Sequence, residues 1–188
     1  MLLNILLLVI LFIGINTDTL IALLFIINQC KLTTALYSVV LSDITLWVTG
    51  IIIGKTFTIV FPTWITGFMG FLLLWMVIRP QATTTTRQLN QPGFASIFLL
   101  CISLGGDNLA VYIPWVTNLN IQSIMIITLV FICCSIAMTL IAKSIILIKP
   151  LIYLLKRYSG YCTKLVYLFS GIRIIYNSHV IRHLIAII

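Results

Sequence analysis

Long apolar runs separated by short polar stretches make up almost the whole chain, and run length decides the elements. Six runs, at residues 2–27, 34–53, 57–78, 94–116, 123–145 and 165–181, are long enough to cross the hydrocarbon core of a bilayer as helices. Lipid offers no partner for backbone N–H and C=O groups, so spanning segments of this length must satisfy themselves as helices. The expected fold is an all-α integral membrane protein with six transmembrane helices. Residues 79–93 interrupt the pattern with Thr83 to Thr86, two arginines and two prolines. This is a polar linker, and it divides the chain into residues 1–78 and 94–188, three spans each.

The halves resemble each other. Ile15-Asn16-Thr17-Asp18-Thr19-Leu20 aligns with Leu104-Gly105-Gly106-Asp107-Asn108-Leu109, and Lys55 falls opposite Lys143. Thr66-Gly67-Phe68-Met69-Gly70 resembles Tyr167-Leu168-Phe169-Ser170-Gly171, with the larger offset absorbed by an insertion near 149–160. Three is odd, so a repeat of three spans sets its copies in opposite orientations, the inverted-repeat plan of many transporters.

Composition sharpens this picture. The chain of 188 residues is 62% hydrophobic and 7% charged, with a formal charge of +8. The basic residues punctuate apolar runs, so they suit lipid headgroups at the membrane surface, and a nucleic-acid face is excluded. Loops after spans one, three and five hold Lys31, Arg79, Arg87, Lys143, Lys149, Lys156, Arg157 and Lys164, against Lys55 and Arg182 on the other side. The positive-inside rule then places the 79–93 linker in the cytoplasm and both termini outside the cell membrane. The insertion carries Leu151, Leu154, Leu155 and Tyr158 on one helical face beside Lys156 and Arg157, which suits an anionic cytoplasmic surface. The first run lacks a basic start and exceeds the core of a signal peptide, so it is expected to be a retained helix.

All three acids lie inside these runs. Asp18 is the only charge before Lys31, Asp43 lies midway between Lys31 and Lys55, and Asp107 is the only charge from Gln88 to Ala142. A carboxylate near the bilayer centre costs about 2.5–3.5 kcal/mol on insertion scales, so it is expected to serve a function. Asp18 sits in the polar cluster Asn16-Thr17-Asp18-Thr19, and Asp107 follows Gly105-Gly106 with Pro114 downstream. Paired glycines and a following proline loosen a helix, and an unwound turn lends carbonyls to a cation. Asp18 and Asp107, aided by Asn16, Thr17 and Asn108, therefore form the candidate metal site, two carboxylates neutralising one divalent cation or taking protons when it leaves. Asp43 and Arg173, isolated charges at similar depth, are expected to form an ion pair, with a relay or gate role, or direct ligation, as the alternatives for Asp43.

The remaining metal-binding residue types carry weaker signals. Cys30, Cys101, Cys133, Cys134 and Cys162 are odd in number and scattered, which argues against a disulfide framework and for small apolar residues. His179 and His183 stand one turn apart beside Arg182, as in an interfacial cluster.

Gly105-Gly106-Asp107-Asn108-Leu109-Ala110-Val111-Tyr112-Ile113-Pro114 resembles the motif of the cadmium resistance transporter family, in the lysine exporter superfamily of small membrane exporters. Asn16-Thr17-Asp18 resembles the family's first-helix acidic motif, although Thr19 stands where that motif has a second acid. The second span shows Leu36-Tyr37-Ser38 in place of the family's glycine-glutamine-tyrosine, and Asp43 is the acid that could restore the missing charge. The resemblance implies export of cadmium or a related cation.

The expected function is secondary-active export of a divalent heavy-metal cation, Cd2+ first, in exchange for protons. No nucleotide-binding motif is present and no enzymatic activity is expected. The partners are the transported cation, protons and membrane lipids, with a homo-oligomer left open; the chain needs no other cofactor. Export of an organic cation or amino acid is the alternative, favoured if Arg173 faces the cavity. A membrane thiol-redox protein would need Cys101 facing Cys133 or Cys134 at disulfide distance. A non-transporting membrane subunit would leave both aspartate motifs unexplained.

Overall fold

The computed structural model describes residues 2–60, 66–78, 92–117, 119–146, 161, 164–176 and 178, and every element among them is a helix. In chain order these are α1 (Leu2–Ile15), α2 (Thr17–Ile26), α3 (Leu32–Val60), α4 (Thr66–Ile78), α5 (Phe94–Leu104), α6 (Asn108–Val116), α7 (Ile121–Ile145) and α8 (residues 164–176). By length and apolarity α3 and α7 can each cross a membrane, and so can α1 with α2 and α5 with α6 if each bent pair is one span. Of the expected linker only Pro92 and Gly93 are described; the 149–160 insertion, Cys162, His179 and His183 lie outside the described residues.

The two bent spans break where polar residues and glycines interrupt the apolar run. Between α1 and α2 the axis turns by 54° at Asn16, whose φ of −90° and ψ of 9° leave the helical basin. The ladder survives this bend: Asn16 N donates to Phe12 O, and Leu20 N to Asn16 O. Between α5 and α6 the turn is 69°, and here the ladder tightens. Asn108 N donates to Gly105 O and Ala110 N to Asp107 O, both three residues back instead of four. Pro114 adds no break of its own and lies within α6.

One boundary differs from expectation. The second apolar run was expected to end at residue 53 and the third to begin at 57, yet α3 runs unbroken to Val60. Lys55 does not end the helix because its Nζ reaches the Leu119 carbonyl oxygen at 2.6 Å. A lysine that finds a carbonyl acceptor can remain in a helix that its charge would otherwise interrupt.

α3 is the central element, packing most extensively on α5, α6 and α7. Gly50 and Gly54, one turn apart on α3, let α6 approach closely, as small-xxx-small faces do in membranes. A Cβ at Gly54 would stand 2.7 Å from the Ile113 carbonyl oxygen. Gly70 on α4 and Gly171 on α8 form a second close approach, each facing the other's carbonyl oxygen. α3 and α7 cross antiparallel: Asp43 meets Ser135, while Trp47, further along α3, donates to Thr128, further back along α7. At their far ends, Lys55 on α3 is tied to Leu119 after α6, and Lys143 on α7 to Asn28 after α2.

Candidate cation site

An aromatic cluster from four helices forms the platform of the site. Phe131 on α7 packs against Phe12 on α1, Trp47 on α3 and Tyr112 on α6, with ring centroids 4.6, 4.8 and 5.6 Å away. Trp47 meets Tyr112 edge-on at 5.2 Å. Such edge and tilted contacts hold rings in fixed places. Phe12 also ends the turn of α1 that leads into Asn16, so the platform fixes the first break.

The two breaks meet through their asparagines. Asn16 Nδ2 donates to Phe12 O at 3.1 Å, and Asn108 Nδ2 donates to Asn16 Oδ1 at 3.1 Å. This chain fixes both amide orientations. A backbone carbonyl can only accept, so Asn16 must turn its NH2 to Phe12 and its oxygen to Asn108. Asn108 must then present its own NH2, which commits its Oδ1 to the opposite direction. That oxygen is buried and, among the described residues, has no hydrogen-bond donor. Tyr112 is also buried and lies near the Asn16 side chain.

The acids flank this pair. Asp18 is half-buried in the first turn of α2, and Asp107 is half-buried at the start of α6, within coulombic range of Asp18. Tyr167 on α8 donates its hydroxyl to Asp107 Oδ2. Thr17 is buried, and its hydroxyl donates back to Ile13 O at 2.9 Å, leaving the oxygen lone pairs free to face elsewhere. Each of the two breaks thus carries an aspartate and an asparagine, and the asparagines join them. Such a set suits a hard or borderline cation. Among the described residues no three His, Cys, Asp or Glu side chains come together, so any cation would rely on amide, hydroxyl and backbone oxygens beside the acids.

Asp43 and Arg173 are not paired. Asp43 is buried on α3 and shares a hydrogen bond with Ser135 Oγ on α7 at 2.5 Å. Arg173 on α8 instead lies over the Trp115 ring, 4.5 Å from its centroid. The indole face is a cation–π partner of the guanidinium, while Arg173 Nη1 is buried without a hydrogen-bond partner among the described residues; similar depth along the sequence did not bring the two charges together. The four described cysteines, Cys30, Cys101, Cys133 and Cys134, are all free thiols, so the disulfide required by a thiol-redox site is not formed among them.

Tyr167, Tyr112 and Ser135 are the partners that sequence reasoning did not single out as chemistry. Tyr167 carried one available signal: it opens the segment that resembles Thr66 to Gly70.

No curated protein and no solved structure matches the chain significantly. A family model described as cadmium resistance transporter matches residues 5–187, nearly the full length. With its Gly-Gly-Asp-Asn turn at the second break, the chain belongs to the cadmium resistance transporter family.

Proposed function

We propose that the chain exports a divalent metal cation, cadmium first, across the cell membrane in exchange for protons. Asp18 and Asp107 supply the charge, Asn108 Oδ1 and Thr17 Oγ1 supply neutral oxygens, and Asn16 orients Asn108. The observation that carries this reading is the meeting of two helix breaks, each bearing an aspartate, through the Asn16–Asn108 hydrogen bond. The orphaned Asn108 Oδ1 supports it further, because a buried acceptor without a donor is costly unless a cation or a donor answers it. Oxygen ligands do not by themselves select cadmium, a soft ion; the ion's identity comes from the family.

The architecture proposed is six spans in two inverted repeats, with both termini outside and basic loops against cytoplasmic lipid. Two features support the inversion. α3 and α7 cross antiparallel, and the Lys55 and Lys143 ties are counterparts at opposite ends, each joining a long helix to the loop after the other half's broken span. A two-fold axis in the membrane plane produces such exchanged contacts.

Cadmium flux into proteoliposomes tests the site. Asp18→Asn and Asp107→Asn should each abolish flux while the protein still inserts and purifies. Wild-type rates in both variants would refute the paired-aspartate site.

A further inference from the structure

Asp43 is the one acid that the cation site does not use, and it is the most deeply buried of the three, at 6% exposure. Among the described residues its carboxyl has one hydrogen-bonding partner, the Ser135 hydroxyl, and no cationic partner. An ionised carboxylate so enclosed lacks the counter-charge that makes burial tolerable. The groups facing it from the neighbouring helices are the Cys101 thiol on α5 and Tyr112 on α6, with Ser42 beside it on α3 and Ser135 on α7. None of these brings a positive charge.

Proton counting at Ser135 points the same way. Its hydroxyl has one proton but two acceptors in reach, Asp43 Oδ2 at 2.5 Å and Phe131 O at 3.0 Å. If Asp43 is ionised, the serine proton can serve only one of them. If Asp43 carries a proton, it donates to Ser135 Oγ, which in turn donates to Phe131 O, and both contacts are made at once. The neutral acid completes the chain of hydrogen bonds, and the carboxylate does not.

We propose that Asp43, held by Ser135, is a proton-binding site separate from the paired aspartates, carrying a proton in the metal-free protein and giving it up when a divalent cation binds between Asp18 and Asp107. Tyr112 joins the two clusters, since it stands within electrostatic reach of both Asp43 and Asp107 and packs on the same aromatic platform as Phe12, whose carbonyl holds Asn16. A divalent charge arriving between Asp18 and Asp107 favours an ionised Asp43 across this low-dielectric wall, so the proton leaves Asp43 for the solution as the cation enters. By linkage a proton at Asp43 weakens cation binding to the same degree. Such competition is what an exchanger needs. Coupling by Asp43 rests on the export function proposed above; its protonation does not.

Two measurements on the full-length protein in detergent decide the matter. Infrared spectra of the metal-free wild type at neutral pH should contain the carbonyl stretch of a protonated carboxylic acid, and Asp43→Asn should lower its intensity by one group's share. Absence of the band from the wild type, or an undiminished band in Asp43→Asn, would overturn the assignment whether or not the protein transports metal. Cadmium chloride titrated into weakly buffered protein with a pH indicator then reads coupling. Asp43→Asn should bind cadmium yet release about one proton fewer per cation than the wild type. Undiminished release would overturn the coupling. If Asp43→Asn does not fold, Ser135→Ala substitutes for it: a changed pH profile of proton release supports the site, and an unchanged one refutes it. A wild type that binds no cadmium but shows the band would refute the export function and leave Asp43 protonated.

Discussion

The Asn16–Asn108 contact makes a quantitative prediction, because among the described residues it is the side-chain hydrogen bond that joins the two breaks. Both residues are buried, at 1% and 0% exposure, so water cannot replace a missing partner. Removing one amide leaves the other with an unmet group, which costs about 1–3 kcal/mol in general. Side-chain hydrogen bonds in a membrane bundle couple more weakly, averaging about 0.6 and reaching about 1.7 kcal/mol. A cycle of Asn16→Ala, Asn108→Ala and the double variant should therefore show a coupling between about 0.6 and 1.7 kcal/mol, above the scatter of about 0.3–0.5 expected of independent sites. Reversible unfolding in mixed micelles, followed by tryptophan fluorescence, gives these values. Cadmium calorimetry on the same variants separates the two roles. Asn16 spends its amide on Phe12 and its oxygen on Asn108, whereas Asn108 keeps Oδ1 for the cation. Asn108→Ala should weaken cadmium by about tenfold or more, the equivalent of about 1.4 kcal/mol, and Asn16→Ala by less. Additive stabilities, or an equal loss of affinity in both variants, would refute this account of the breaks.

Gly54→Ala should lower stability by about 1–3 kcal/mol, because its Cβ meets the Ile113 backbone oxygen; Gly93→Ala, with nothing within 4 Å, serves as the control. Equal melting of the two variants would show that α3 and α6 do not pack through Gly54. Asp43→Asn and Arg173→Gln should combine additively within about 0.5 kcal/mol, since their side chains have separate partners; recovery of stability in the double variant would restore the ion pair. A cysteine at Thr84, introduced into a cysteine-free background, should react in intact cells only with membrane-permeant reagents, and labelling by an impermeant one would invert the orientation.

The breaks were legible because they are written in residue types. Asn16-Thr17-Asp18 and Gly105-Gly106-Asp107 are polar or conformationally free stretches inside greasy runs, and the helices bend at both. The end of α3 was not legible: Lys55 reads as a loop residue until its carbonyl partner is seen. Nor were Tyr167 and Ser135 as partners of the acids. In a soluble helix, apolar periodicity tells which face turns inward. Where lipid is as apolar as the interior, that signal vanishes, and Tyr167 looks no more inward than Tyr176, which is exposed. The Asp43–Arg173 pairing failed for the same reason. Depth could be inferred from position in a span, but rotation about the helix axis could not, and rotation gives Arg173 to Trp115.

The two lysine ties are unequal. Lys55 is half-buried and reaches a backbone carbonyl at 2.6 Å, whereas Lys143 is exposed and meets the Asn28 side chain at 3.1 Å. Water competes freely for an exposed amine, so the Lys143 tie holds little more than the solvent would. The molecule is thus bolted at one mouth and merely latched at the other. A substrate path that opens by parting a long helix from the opposite bent span would part first beside Asn28. Resealing there would demand little, and under the export function proposed above the end beside Leu119 would serve as the hinge.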